Sequence, residues 1–142
     1  MNKFADFAPS KPAPPMPWHA LPQAPAVGTL LGQCSSLVDG EVAMLELIAS
    51  ESAPQTPFRY LLLRSGERVH AFVNRCAHFG VPLATRQDML QFTPHISLTC
   101  NVHYARFRWS DGVCDRGDCV GEGLIPIPLD IDGTGAIRIA GA

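Results

Sequence analysis

Asn74-Arg75-Cys76-Ala77-His78-Phe79-Gly80 and Cys100-Asn101-Val102-His103 are the two stretches on which the reading of this chain turns. The first carries Cys-x-His and the second Cys-x-x-His, with 21 residues between His78 and Cys100. Each follows an apolar run suited to a strand and opens a segment suited to a loop, where binding residues are commonly presented. The pairing of unlike donors is the informative part. Zinc knuckles pair like with like, two Cys on one side and two His on the other. Here each loop offers one sulfur and one nitrogen, an arrangement a lone tetrahedral ion does not need. A rhomb of two irons and two sulfides has two ends, so each loop can give its Cys to one iron and its His to the other.

The segments around these loops read as strands. Val42-Ala43-Met44-Leu45-Glu46-Leu47-Ile48 is a strand candidate, and the Ser-, Pro- and Gln-containing stretch from Ala49 to Pro57 is a loop. Phe58 to Arg64 and Arg68 to Val73, joined by Ser65-Gly66-Glu67, form an expected hairpin. Ile96 to Thr99 and Tyr104 to Trp109 flank a further turn region, and Asp111-Gly112 reads as a hairpin turn. Leu124-Ile125-Pro126-Ile127-Pro128-Leu129-Asp130-Ile131 alternates, and its two prolines suggest an edge strand. Asp132-Gly133-Thr134-Gly135 then turns the chain into Ala136 to Ile139. No segment keeps a helical period, so the expectation is an all-β fold of short antiparallel strands.

Composition limits the function classes. The 142 residues suit a single core. With 46% hydrophobic and 17% charged residues, the chain is globular, and no apolar run approaches the roughly 18 residues of a membrane span. A formal charge of −2 and the absence of a basic run argue against nucleic acid as a partner. Seven of the 13 prolines fall between Pro9 and Pro25, so residues 1–17 read as an extended Pro-rich arm, preferred over a docking ligand. No h-region follows Met1 to Phe7, so an export signal is not expected. The odd count of five cysteines suits a reducing, cytoplasmic setting in which cysteines are more often ligands than bridges.

With both motifs in view, the chain resembles the Rieske [2Fe–2S] family over most of its length after about Trp18, giving an expected Rieske domain at 18–142. Val73 to His78, the Gly80-Val81-Pro82-Leu83 that follows, and Phe107 to Cys119 carry the likeness. The resemblance implies a cluster-binding subdomain made by two ligand loops. Cys76 and Cys100 would hold the inner iron, and His78 and His103 the outer one, with ring edges towards solvent. Two ferric ions, two sulfides and two thiolates sum to zero charge, whereas four thiolates leave the cluster two charges more negative and harder to reduce. His-ligated clusters accordingly lie at about −150 to +300 mV, against about −400 mV for plant-type ferredoxins.

High-potential relatives add a disulfide between the ligand loops and hydroxyl donors beside the cluster. The matching positions here are Val81 and Val102, then Ala105 and Phe107, none of which supplies either feature. A low potential follows as the expectation. Two departures stand out: Tyr104 replaces the usual Gly after the second His, and the long spacer places an enlarged loop or hairpin around residues 86–95. Gly117-Asp118-Cys119 falls where a third loop covers the cluster, with Cys114 and Cys119 read as packed thiols rather than a bridge or extra ligands. Cys34 reads as a small buried hydrophobe, and His70 as structural. His19 and His95 are expected to lie away from the site. Phe72, Phe79, Phe107 and Trp109 are expected in the core or shielding the cluster.

The expected function is one-electron transfer between a reductase and an oxygenase or reductase. The chain is read as a carrier or redox subunit with no catalytic domain, because no residues remain for a mononuclear iron site of two His and a carboxylate. A zinc-stabilised or metal-free binding module on the same fold is the alternative.

Overall fold

The computed structural model describes residues 17–21, 23–48, 57–76, 82–100, 104–117 and 120–141. Ten short strands are present: β1 (Leu30–Gln33), β2 (Val42–Leu47), β3 (Phe58–Ser65), β4 (Arg68–Val73), β5 (Gln91–Thr93), β6 (Ser97–Thr99), β7 (Arg106–Arg108), β8 (Cys114–Arg116), β9 (Leu129–Ile131) and β10 (Ala136–Ile139). The helical segments among the described residues are 3₁₀ turns of three residues, at Trp18–Ala20, Cys34–Ser36 and Gln87–Met89. None is long and apolar enough to cross a membrane. The all-β expectation holds.

The strands form three antiparallel sheets, ordered β1-β10-β9, β2-β3-β4 and β5-β6-β7-β8. β3 explains how they stack. Phe58, Tyr60 and Leu62 alternate with Leu61 and Leu63, and all five are buried, so both faces of this strand meet apolar neighbours. Leu61 and Leu63 share one core with Phe72, Leu98, Phe107 and Trp109; Phe58, Tyr60 and Leu62 share a second with Leu31, Val73, Ile137 and Ile139. The middle sheet is therefore a wall between the β5–β8 sheet and the β1-β10-β9 sheet. The Tyr60 hydroxyl donates to the Leu31 carbonyl at 2.7 Å across the second core, and burial pushes its pKa up to about 12.

The expected β3–β4 hairpin forms, but its connection is Gly66-Glu67 rather than Ser65-Gly66-Glu67, because Ser65 pairs with Arg68. The spacer resolves as a hairpin, the second of its two anticipated forms. β5 and β6 pair in register around Pro94-His95-Ile96, where Pro94 precedes His95 at φ +66, the pattern of a type II turn. The expected edge strand at 124–131 is only partly realised. Strand geometry begins at Leu129, at the edge of the β1-β10-β9 sheet. Residues before it instead run along β4, with Ile127 N–H donating to the Ala71 carbonyl and Val73 N–H to the Ile125 carbonyl, both at 2.9 Å. The prolines at 126 and 128 leave an alternate donor pattern that a single sheet edge of this kind accommodates.

Candidate metal centre

The first ligand stretch leaves β4 at Val73. Asn74 N–H donates to the Arg59 carbonyl at 2.9 Å, which extends the β3–β4 ladder by one more contact before the chain departs. The Asn74 side chain, itself 4% exposed, then reaches over the loop: its Oδ1 accepts the Leu83 N–H at 2.8 Å. The two ends of residues 74–83 are thus tied together, and Cys76 is 1% exposed just inside the tie. His78 lies outside the described residues.

The second stretch leaves β6 at Thr99. Cys100 is fully buried; its N–H donates to the Ala105 carbonyl, and its carbonyl accepts the Tyr104 N–H, both at 2.8 Å. These two bonds close the loop from 100 to 105. Tyr104 closes it in the left-handed region at φ +59, with its side chain exposed. This is the conformation that glycine adopts without a Cβ penalty. His103 lies outside the described residues, as do Val81, Val102, Phe79 and Cys119.

A third loop follows β8. Cys114 N–H donates to the Glu122 carbonyl at 2.7 Å and Gly121 N–H to the Cys114 carbonyl at 3.1 Å, closing its base. At Gly117, φ is +105, and a Cβ would meet Ala105 Cα at 3.0 Å. Glycine is needed there because the third loop's backbone rests on the second ligand loop. The Arg106–Asp115 ion pair at 2.7 Å ties β7 to β8 beside this contact, and the guanidinium holds the Asp115 carboxyl below its usual range.

Two of the four expected ligands are therefore brought into one apolar core. Cys76 and Cys100 share it with Leu83, Ala84, Leu98, Ala105, Phe107, Trp109 and Cys114. This donor set suits the inner half of an iron–sulfide cluster, since thiolates in a dry shell need a metal to offset their charge. Ala105 is 2% exposed and Phe107 fully buried, so the side chains nearest in sequence to the second loop bring no hydroxyl to this core. The Cys114 thiol donates to the Arg116 carbonyl at 3.2 Å, in keeping with a packed thiol.

Other residues singled out from the sequence take structural places. His70 sits in β4 with its ring stacked on Phe72 at 6.5 Å. His95 lies at the β5–β6 turn, its Nδ1 2.8 Å from Ser65 Oγ and its ring 5.6 Å from Trp109. Cys34 is half-buried beside the second core rather than fully buried, because it opens a surface 3₁₀ turn. Asn74 and Gln87 carry no role in the sequence reading, which places Gly117 only within a loop expected over the cluster. The visible signal for Asn74 is its place directly after the buried Ala71-Phe72-Val73 end of β4.

A Rieske [2Fe–2S] domain model matches residues 30–128, and the chain belongs to that family. The family's cofactor is a Rieske-type [2Fe–2S] cluster, a one-electron centre. The ferredoxin of carbazole 1,9a-dioxygenase from Nocardioides aromaticivorans IC177 superposes with a TM-score of 0.61 at 21% identity, over 82% of this chain and 100% of that one. The terminal oxygenase of carbazole 1,9a-dioxygenase from Novosphingobium sp. KA1 gives 0.64 at 18% identity, over 83% of this chain but 31% of the oxygenase. A chain of the reduced complex between oxygenase and ferredoxin in carbazole 1,9a-dioxygenase gives 0.61 at 20%, covering 81% of this chain and 28% of that one. These likenesses establish the shared fold. Comparison with curated proteins finds no match.

Proposed function

We propose that Cys76 and Cys100 ligate the inner iron and His78 and His103 the outer iron of a Rieske cluster, and that the chain is a ferredoxin-like carrier of single electrons. It would accept them from a reductase and deliver them to an oxygenase or a second reductase in the cytoplasm. The supporting observation is the burial of Cys76 and Cys100 in one core at the exits of β4 and β6. Residues far apart in sequence are thereby brought into the same core. The bound cluster would supply a reversible one-electron couple. The chain's own part is to hold the thiolates in a dry shell and to leave the His end of each loop towards the surface.

Full coverage of a dioxygenase ferredoxin, against under a third of a terminal oxygenase, favours the carrier over a catalytic component. Residues 18–142 would form the electron-transfer domain and residues 1–17 an arm outside it. Ala105 and Phe107, lacking hydroxyls, favour a potential towards the lower end of the family's window, nearer about −150 mV than +300 mV.

Anaerobically prepared protein is expected to hold about two irons and two acid-labile sulfides per chain, with visible absorption that bleaches on reduction. Cys76→Ser or Cys100→Ser should remove nearly all of it. Full cluster content in the His78→Ala, His103→Ala double variant, or a single zinc in place of iron, would overturn the assignment. A clearly positive midpoint in film voltammetry would overturn the low-potential reading alone.

A further inference from the structure

We infer that Asn74 is a positioning residue for the cluster: its side chain is the latch that holds the first ligand loop shut. The inference rests on the proposed ligation by Cys76 and His78. Asn74 precedes that loop and Leu83 follows it. Asn74 is buried, Leu83 fully so, and the amide oxygen of one accepts the backbone N–H of the other at 2.8 Å. Only the oxygen of the amide can serve a backbone donor, so the orientation of the side chain is fixed. Its own backbone is fixed too, through the N–H donated to Arg59 in the neighbouring strand.

The latch is thus anchored in the β3–β4 ladder, and it transmits that ladder's rigidity to the far end of the loop. Without it, the fully buried Leu83 N–H loses the acceptor that Asn74 provides, and a desolvated donor left unpaired drives that end of the loop to move. Such movement would shift Cys76, two residues from the anchor, and the ligand beyond it. The cluster would then lose its grip on one side while the second loop, closed by its own backbone bonds at Cys100, kept its shape.

Asn74→Asp preserves the accepting oxygen, whereas Asn74→Leu keeps the volume and removes it. Ile137→Val, in the core on the other side of the middle sheet, serves as a control for lost stability. With the protein loaded, Asn74→Leu is expected to release iron to a chelator at least ~10-fold faster than the wild type, at matched fractional unfolding. Asn74→Asp should stay within ~3-fold, and Ile137→Val should match the wild type. Hydrogen exchange at the Leu83 amide should rise ~10-fold or more in Asn74→Leu only.

Equal iron release from Asn74→Leu and wild type, or equally fast release from Asn74→Asp and Asn74→Leu, would sink the latch. So would a Leu83 amide that stays protected in Asn74→Leu. Failure of the wild type itself to hold iron would sink the ligand assignment instead, while the exchange measurement would still decide whether Asn74 closes the loop.

Discussion

Tyr104 occupies backbone space that favours glycine. At φ +59 its Cβ crowds the neighbouring carbonyl, a strain of about 1 kcal/mol for a residue with a side chain. The exposed ring gains little from burial to offset it. Tyr104→Gly is therefore expected to raise the melting temperature by about 3 °C, measured by thermal unfolding of the loaded protein. A lower melting temperature would show that the ring stabilises the loop more than its backbone strains it. From the sequence, the substitution of Tyr for the usual Gly was visible, but its cost was not. Backbone dihedrals are set by the closure of the loop between Cys100 and Ala105, two bonds that no local pattern announces. The Asn74–Leu83 bond and the close approach of Gly117 to Ala105 are hidden for the same reason: each depends on a segment met only after folding.

Among the elements, the exposed edge of β2 shows how a side chain can substitute for a strand. Gln87, at the start of its 3₁₀ turn, accepts the Met44 N–H at 2.7 Å and donates to the Val42 carbonyl at 2.8 Å. One amide thus satisfies two main-chain groups as a paired residue would, and it fastens the segment after the first ligand loop to the middle sheet. Gln87→Ala is expected to cost about 1 kcal/mol, read from denaturant midpoints. An unchanged midpoint would mean that water replaces the amide without loss.

Elements with strong alternation or a clear turn were legible beforehand. These include β2, the β3–β4 hairpin, β6, β7 and β10, each of which has apolar residues in a core. β1 and β5 are not legible, because Leu30–Gln33 and Gln91–Thr93 mix polar and apolar residues with no turn motif in the sequence to mark them. The stretch at 124–128 was misjudged as continuous strand. It joins the edge of β4 only through two backbone bonds and a single antiparallel bridge at Phe72 and Pro126. At the candidate site, the two Cys/His stretches stand out in the sequence because mixed donors on two loops are chemically unusual. The common burial of Cys76 and Cys100 required the sheets to be stacked first.

For the whole molecule, charge governs the response to acid. Burial first, then the Arg68 charge, lowers the His70 pKa from its ordinary 6.5. A base with a lowered folded value contributes stability in full above 6.5, and loses it as pH falls through that folded value. Asp132 is held below its ordinary 3.8 by bonds from the Thr134 hydroxyl and N–H and the Ala136 N–H, so its contribution disappears only at lower pH. Melting temperature is expected to hold from about pH 7 upward and then to fall in two stages on acidification. His70→Gln should remove the first stage and leave the second. A single unbroken decline in both proteins would exclude His70 as its source.

The partition made by β3 has a bearing on how the protein ages. The leucines of that strand belong to two interiors, and Cys76 and Cys100 draw on only one of them. Oxidative erosion of an iron centre would strike one chamber, while the other keeps its own hydrophobic contacts with Ile137 and Ile139. A stripped chain is then expected to keep the second core folded, a floor that outlasts the loss of the metal.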